Sequence, residues 1–312
     1  MFLMMNEARI GVGLGATTLG YAGYLHSLDY ARNRPQGRAP QNKDPNTPQL
    51  AIIEHTDIRR MLLAQKTYVE AGLALNLYCA KLVDDTKTAD KSNAKEAYLL
   101  LELLTPIAKS WPSQWCLEAN SLAIQVLGGY GYTRDYNVEQ YYRDNRLNPI
   151  HEGTHGIQGL DLLGRKVRMN EGAALSAFGV KVSATIAAAL GTDNKTVSDG
   201  AKIISTLIAR IEPTLNVLYG ASNLNVTLAN ATVFLEAFGH LVIGWIWLEQ
   251  ALVADKALAS IVTGTSSDHD FYRGKLQAAQ YFFKWELPKV STMLDLLNSL
   301  DQTTLQMQDA WF

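Results

Sequence analysis

Five consecutive residues, His151, Glu152, Gly153, Thr154 and His155, gather two imidazoles and a carboxylate. Their order is formally HExxH, which on a helix sets both imidazoles on one face for zinc and leaves the glutamate as general base. Zinc then needs a third ligand. Glu171, sixteen residues after His155 and preceded by Asn170, falls a few residues short of the usual gluzincin spacing. The metzincin continuation fails because Gln158 stands where it requires glycine. Pro149 and Gly153 also suit a helix start better than the middle of a zinc-binding helix, so no metal site is expected. Gly11, Gly13 and Ala16 fit a loose GxGxxA dinucleotide fingerprint. That fingerprint works only after a strand, and residues 6–9 read as helix, so close helix packing explains these small residues better.

A longer ordered set is more specific. It runs Gln125 to Thr133 (QVLGGYGYT), then Tyr142-Arg143-Asp144, then Glu152-Gly153-Thr154 with Ile157-Gln158, and ends at Leu163-Gly164-Arg165-Lys166. Upstream lie Asn6-Glu7-Ala8-Arg9 and the segment Tyr30 to Gly37 (YARNRPQG). In order and spacing these residues resemble the C-terminal helical domain of the acyl-CoA dehydrogenases across roughly residues 1–168. The tail, with Gly244 to Trp247 (GWIW) and Tyr281 to Leu287 (YFFKWEL), is similar to the extra helical domain of the family's longer members.

The resemblance implies FAD-dependent α,β-dehydrogenation of an acyl-CoA thioester, with Glu152 as the base that removes the α-proton. Such a base needs a raised pKa in a dry site, and the thioester carbonyl needs donors, one of them the backbone N–H of Glu152. It further implies cofactor contacts at Arg34 and Gln36 to the FAD of a neighbouring subunit, and at Gln125, Gly128 and Gly129 near its adenosine half. Thr154 and Gln158 match contacts to the subunit's own FAD. Asn6, Arg9 and Gly153 match substrate-side positions. A flavin shared between subunits implies a homo-oligomer, and the reaction implies an acceptor such as electron-transfer flavoprotein. A sulfur-containing propionyl thioester is the substrate analogy that the tail offers.

Two departures bear on substrate shape and flavin affinity: His151 precedes the glutamate where relatives usually carry tyrosine, and Gly37 stands where an aromatic often follows the arginine motif. The N-terminal helical and β-rich middle domains of full-length members have no counterpart here, so the chain is expected to be a C-terminal half whose missing half is either supplied by a separate polypeptide or lost from the gene model. The competing readings are a non-catalytic helical remnant that oligomerises or binds weakly, and the zinc hydrolase.

The elements that must position these residues are helices. Period-two alternation is nearly absent, while Ala, Leu, Glu, Lys and Gln repeat at three and four residues. The expected fold is all-α, an antiparallel bundle over residues 1–168 followed by a second helical domain over 169–312. Helices are expected over 6–33 and 49–86, separated by a loop bearing Pro35, Pro40, Pro45 and Pro48. A third begins with Ser92 as N-cap and bends near Pro106 and Pro112. Later loops are expected near residues 191–198 and 263–269. Trp245, Trp247, Tyr281, Phe282, Phe283 and Trp285 read as core and docking surface.

The 312 residues are 47% apolar and 19% charged, which excludes disorder. Lys plus Arg number 28 against 30 Asp plus Glu, leaving no basic excess for nucleic acid. Cys79 and Cys116 lack CxxC spacing and read as buried thiols in a reducing compartment. With no basic segment before its first apolar residues the start is a poor signal peptide, so the expected location is cytoplasmic. Residues 10–28 and 213–248 are nearly charge-free but carry glycines and asparagines that suit core helices better than a bilayer.

Overall fold

The computed structural model describes residues 2–42, 44–261 and 267–312, and the side chains from Met5 onward within them. Among these there is no strand beyond an isolated bridge between Pro35 and Ala51. Three long helices make the frame: α1 (Phe2–Asn33), α2 (Thr56–Thr88) and α3 (Lys91–Leu127). They pack on one another with the short α4 (Val138–Asn145) laid across α1 and α3.

The start of α3 corrects the capping expectation. Asp90, not Ser92, is the N-cap, and its carboxylate accepts from the N–H groups of Ser92 and Asn93. The carboxylate meets two otherwise orphaned donors at once, which serine's single oxygen does less well. Both prolines lie inside the continuous helix. Pro112 removes the donor that the Ala108 carbonyl would normally receive, and Gly13 of α1 closes onto that oxygen. A Cβ at Gly13 would stand 1.9 Å from it. The GxGxxA segment thus lies mid-helix as a packing surface, with Gly11 and Gly15 facing open space.

After α4 come α5 (His155–Gly164) and α6 (Met169–Leu190), which kinks at Asn170, Glu171 and Gly172, all with positive φ. Then follow α7 (Lys195–Ile208), α8 (Ile211–Tyr219), α9 (Leu224–Leu228) and α10 (Ala231–Ser260). The chain closes with α11 (Ser267–Tyr281), a π-helical turn at Phe282–Glu286, α12 (Lys289–Asn298) and α13 (Thr303–Gln306). The loop expected at 263–269 falls largely outside the described residues.

Helix α10 is the second spine. It is apolar on every side, which requires cover all round, and it receives α5, α6, α7, α11 and α12. Phe234, Phe238 and Trp247 are fully buried there, each worth at most about 2–3 kcal/mol of transferred area. It is also long and apolar enough to cross a membrane, as is the stretch His155–Leu190 by length and composition. Here 83% of the α10 window is covered by protein, and Asn230 at its start donates to the Asp301 carbonyl. One hydrophobic cluster runs from Ile10 and Leu103 through Phe178 and Trp247 to Leu297. Of the six aromatics, Trp285 alone is exposed, at 56%. Both cysteines are buried and free, and burial pushes their thiols up to about 12.

Candidate active site

The loop that joins α4 to α5 carries the HExxH residues, and buried asparagines fix its entry. Asn145 donates to the Ala16 carbonyl (3.1 Å) and to Asn120 Oδ1 (2.7 Å), while Asn148 donates to Asn145 Oδ1 (2.9 Å). Asn120 in turn donates to the Leu19 carbonyl. Each amide is satisfied by another or by backbone, so the relay ties the loop to α1 and α3 without an unmet polar group at these atoms.

Beyond this anchor the backbone turns sharply. Glu152 has φ +55 and Gly153 φ +93. A side chain at Gly153 would be strained and would meet Gln158 Nε2 at 2.6 Å. The two carbonyls of this turn face inward. Gln158, fully buried, donates to the Glu152 carbonyl (3.1 Å), and Lys109 Nζ donates to those of Gly153 (2.7 Å) and Asn148 (2.8 Å). The Glu152 side chain is exposed, and its N–H meets no acceptor among the described residues. Around it on the same segment lie exposed Leu147, Ile150, Ile157 and Leu160.

Helix α5 begins only at His155, so the two imidazoles do not share a helix face and HExxH here is not the zinc motif. His155 is held neutral, with burial first and then the charges of Lys109 and Arg146 bringing it down to about 4.

A second group gathers at the far end of the bundle. Arg34 is half-buried, its guanidinium 5.5 Å from the Tyr130 ring centroid and its Nε without a partner. Tyr130 belongs to the 3-10 turn Gly128–Tyr132 that follows α3. Gln125, Gly128 and Gly129 are exposed, and nothing lies within 4 Å of a Cβ built on either glycine. Gln36 is exposed and its backbone is held by Leu50 and by His55 Nε2 (2.7 Å). Sixteen helical residues separate Lys109, under Glu152, from Gln125. At 1.5 Å each, the two ends stand roughly 24 Å apart.

Three of the expected site residues have partners inside the chain. Asn6 is 6% exposed and donates to Glu102, which also holds Lys166. Arg9 pairs with Asp161 at 2.9 Å, both side chains 12% exposed. Gln158 braces the turn instead of facing outward. Thr154 sits exposed at the α5 N-cap with its hydroxyl not used for capping.

The family described as Acyl-CoA dehydrogenase, C-terminal domain matches residues 2–167, and that described as Acetyl-CoA dehydrogenase C-terminal like matches residues 178–308. The chain belongs to the acyl-CoA dehydrogenase family. A broad-specificity linear acyl-CoA dehydrogenase of Mycobacterium tuberculosis is 31% identical over the whole chain, which covers 52% of that protein. The 3-methylmercaptopropionyl-CoA dehydrogenase of Ruegeria pomeroyi is 32% identical over 93% of the chain, covering 48% of it. The chain therefore spans about half the length of these relatives. The fold is shared with an acyl-CoA dehydrogenase from Bacillus anthracis complexed with FAD, at TM-score 0.69 and 16% identity, covering 99% of this chain and 50% of that one. It is likewise shared with Caenorhabditis elegans ACDH-11 in complex with C11-CoA, at TM-score 0.69, 18% identity and coverage of 96% and 48%.

Lys109 and the asparagine relay, which hold the loop through hydrogen bonds, are not among the residues that the sequence pattern singles out. A signal was present: residues 97–113 are buried throughout except Tyr98, and a helix apolar all round turns its few charges inward.

Proposed function

We propose that the chain is the C-terminal part of an FAD-dependent acyl-CoA dehydrogenase in which Glu152 removes the α-proton of an acyl-CoA thioester. The observation that carries this reading is the Glu152 turn. Its carbonyls accept from Lys109 and Gln158, while the Glu152 side chain is exposed and its N–H meets no acceptor among the described residues. A thioester seated there meets a base at its α-carbon and a donor at its carbonyl oxygen. The exposed Leu147, Ile150, Ile157 and Leu160 suit cover by an acyl group or by the remainder of the enzyme.

The far end fits the phosphate-bearing half of FAD. Arg34 keeps a buried, unpartnered Nε, and planar guanidinium suits phosphate oxygens, beside two glycines open to close approach. When bound, the flavin supplies the acceptor for the β-hydride. Since the two ends lie some 24 Å apart in one copy, a homo-oligomer in which each end serves a different flavin accounts for both, with an electron-transfer flavoprotein or similar acceptor downstream. The acyl group is a linear or sulfur-containing short thioester by analogy with the relatives.

The test uses the complete protein, this chain together with the N-terminal half, joined or as a separate polypeptide. Its visible flavin spectrum is recorded while acyl-CoA is added without oxygen. Bleaching is expected, and Glu152→Gln should slow it by about 10²–10⁴-fold. Bleaching at an unchanged rate in that variant rejects Glu152 as the base.

A further inference from the structure

The buried cation beneath the turn has a purpose that bundle packing does not explain. Lys109 is 0% exposed, yet among the described residues no carboxylate lies within ion-pair distance of it; Nζ instead reaches the carbonyls of Asn148 and Gly153, one on each side of the segment that carries Glu152. Burying an ammonium with only neutral partners costs several kcal/mol, and an apolar side chain would fill the same space without that penalty. The ammonium closes the 148–153 loop as a clasp, because its three charged donors on a long stem reach the oxygens of Asn148 and Gly153 at once. The charged groups around it are Arg9 from α1 and Glu152 from the loop, with His155 neutral at the start of α5.

We infer that Lys109 is the positioning residue for Glu152: it holds the Asn148 and Gly153 carbonyls inward and so aims the Glu152 carboxylate and N–H at the thioester. This rests on the reading of Glu152 as base. Turning either carbonyl outward would rotate the adjoining peptide and move the carboxylate by an ångström or more, a displacement on the scale that costs on the order of 10² in rate.

Two measurements test it, on different footings. In the full chain, amide hydrogen exchange of Lys109→Met is compared with wild type. Exchange at Ile150 and His151, whose N–H groups bond Leu147, should rise at least about tenfold while the α3 amides of residues 99–108 stay within about twofold. Unchanged exchange in the loop, or an equal rise throughout α3, overturns the proposal by making Lys109 a packing residue. In the complete protein, Lys109→Met with Glu152 intact should lower kcat for bleaching by on the order of 10² with KM within about threefold, and Lys109→Arg should recover part of it. A KM effect alone, full kcat in methionine, or a loss in methionine that arginine does not recover at all sinks the proposal. Failure of Glu152→Gln to slow bleaching sinks the reading it rests on, and the exchange result stands apart from that outcome.

Discussion

Two lysines lie buried in the same bundle, Lys109 at 0% and Lys166 at 1% exposure, and they are treated in opposite ways. Lys166 forms a close ion pair with Glu102, which also accepts from Asn6, so charge meets charge across α1, α3 and the turn after α5. Burial pulls the Lys166 ammonium down from its ordinary value, while the Glu102 carboxylate pulls it back up. Lys109 has carbonyls only, and burial followed by the charge of Arg9 brings it down to about 8. A lysine kept for the fold is neutralised where it sits. A lysine kept to hold a working loop retains its charge at a cost, the pattern expected where stability is given up for geometry.

That contrast breaks most directly at the ion pair. Lys166→Met leaves Glu102 buried and uncompensated and should cost about 3–5 kcal/mol in urea unfolding, with the added Glu102→Leu change recovering most of it. If the double variant is no better than the single one, the pair is not the self-contained unit described here.

The next effect is a pH window. The folded chain holds the Lys109 proton less tightly than the unfolded chain, so between about pH 8 and the ordinary value of 10.5 the unfolded state binds more protons. Stability attributable to this group therefore rises with pH across that window, by up to roughly 3 kcal/mol, and its penalty is fully present below it. The difference between wild type and Lys109→Met, followed by urea unfolding from pH 7 to 10.5, should change by that amount. A constant difference would mean that the ammonium is not buried as charge.

The smallest effect sharpens the comparison at the loop itself. Gly153→Ala places a Cβ 2.6 Å from Gln158 Nε2 at a φ of +93, and should cost about 1–3 kcal/mol, with the loss of exchange protection confined to the 147–158 segment. The same substitution at Gly129, whose neighbourhood is open and whose φ is not positive, should change stability by less than about 0.5 kcal/mol.

Much of this was legible before any coordinates. The three- and four-residue repeats gave the helices, and the proline-bearing stretch after Asn33 ended α1 where it does end. The ordered motif from Gln125 to Lys166 pointed to the family that the comparisons show. The cap falls at Asp90, two residues before the expected Ser92, although both residue types cap well. Asn6 and Arg9 match substrate-side positions of the family pattern, and the structure gives both a partner inside the chain. Their partners, Glu102 and Asp161, lie 96 and 152 residues away, beyond any local pattern.

Sequence by itself determined the helical class, the order of the elements and the residue types at the turn, since those depend on local propensity, periodicity and the φ that only certain residues tolerate. Tertiary structure alone decided which charges are buried, which lysine has an acid to meet it, and which way the Glu152 peptide faces. The physical reason is that desolvation and hydrogen-bond geometry are set by what arrives from distant parts of the chain.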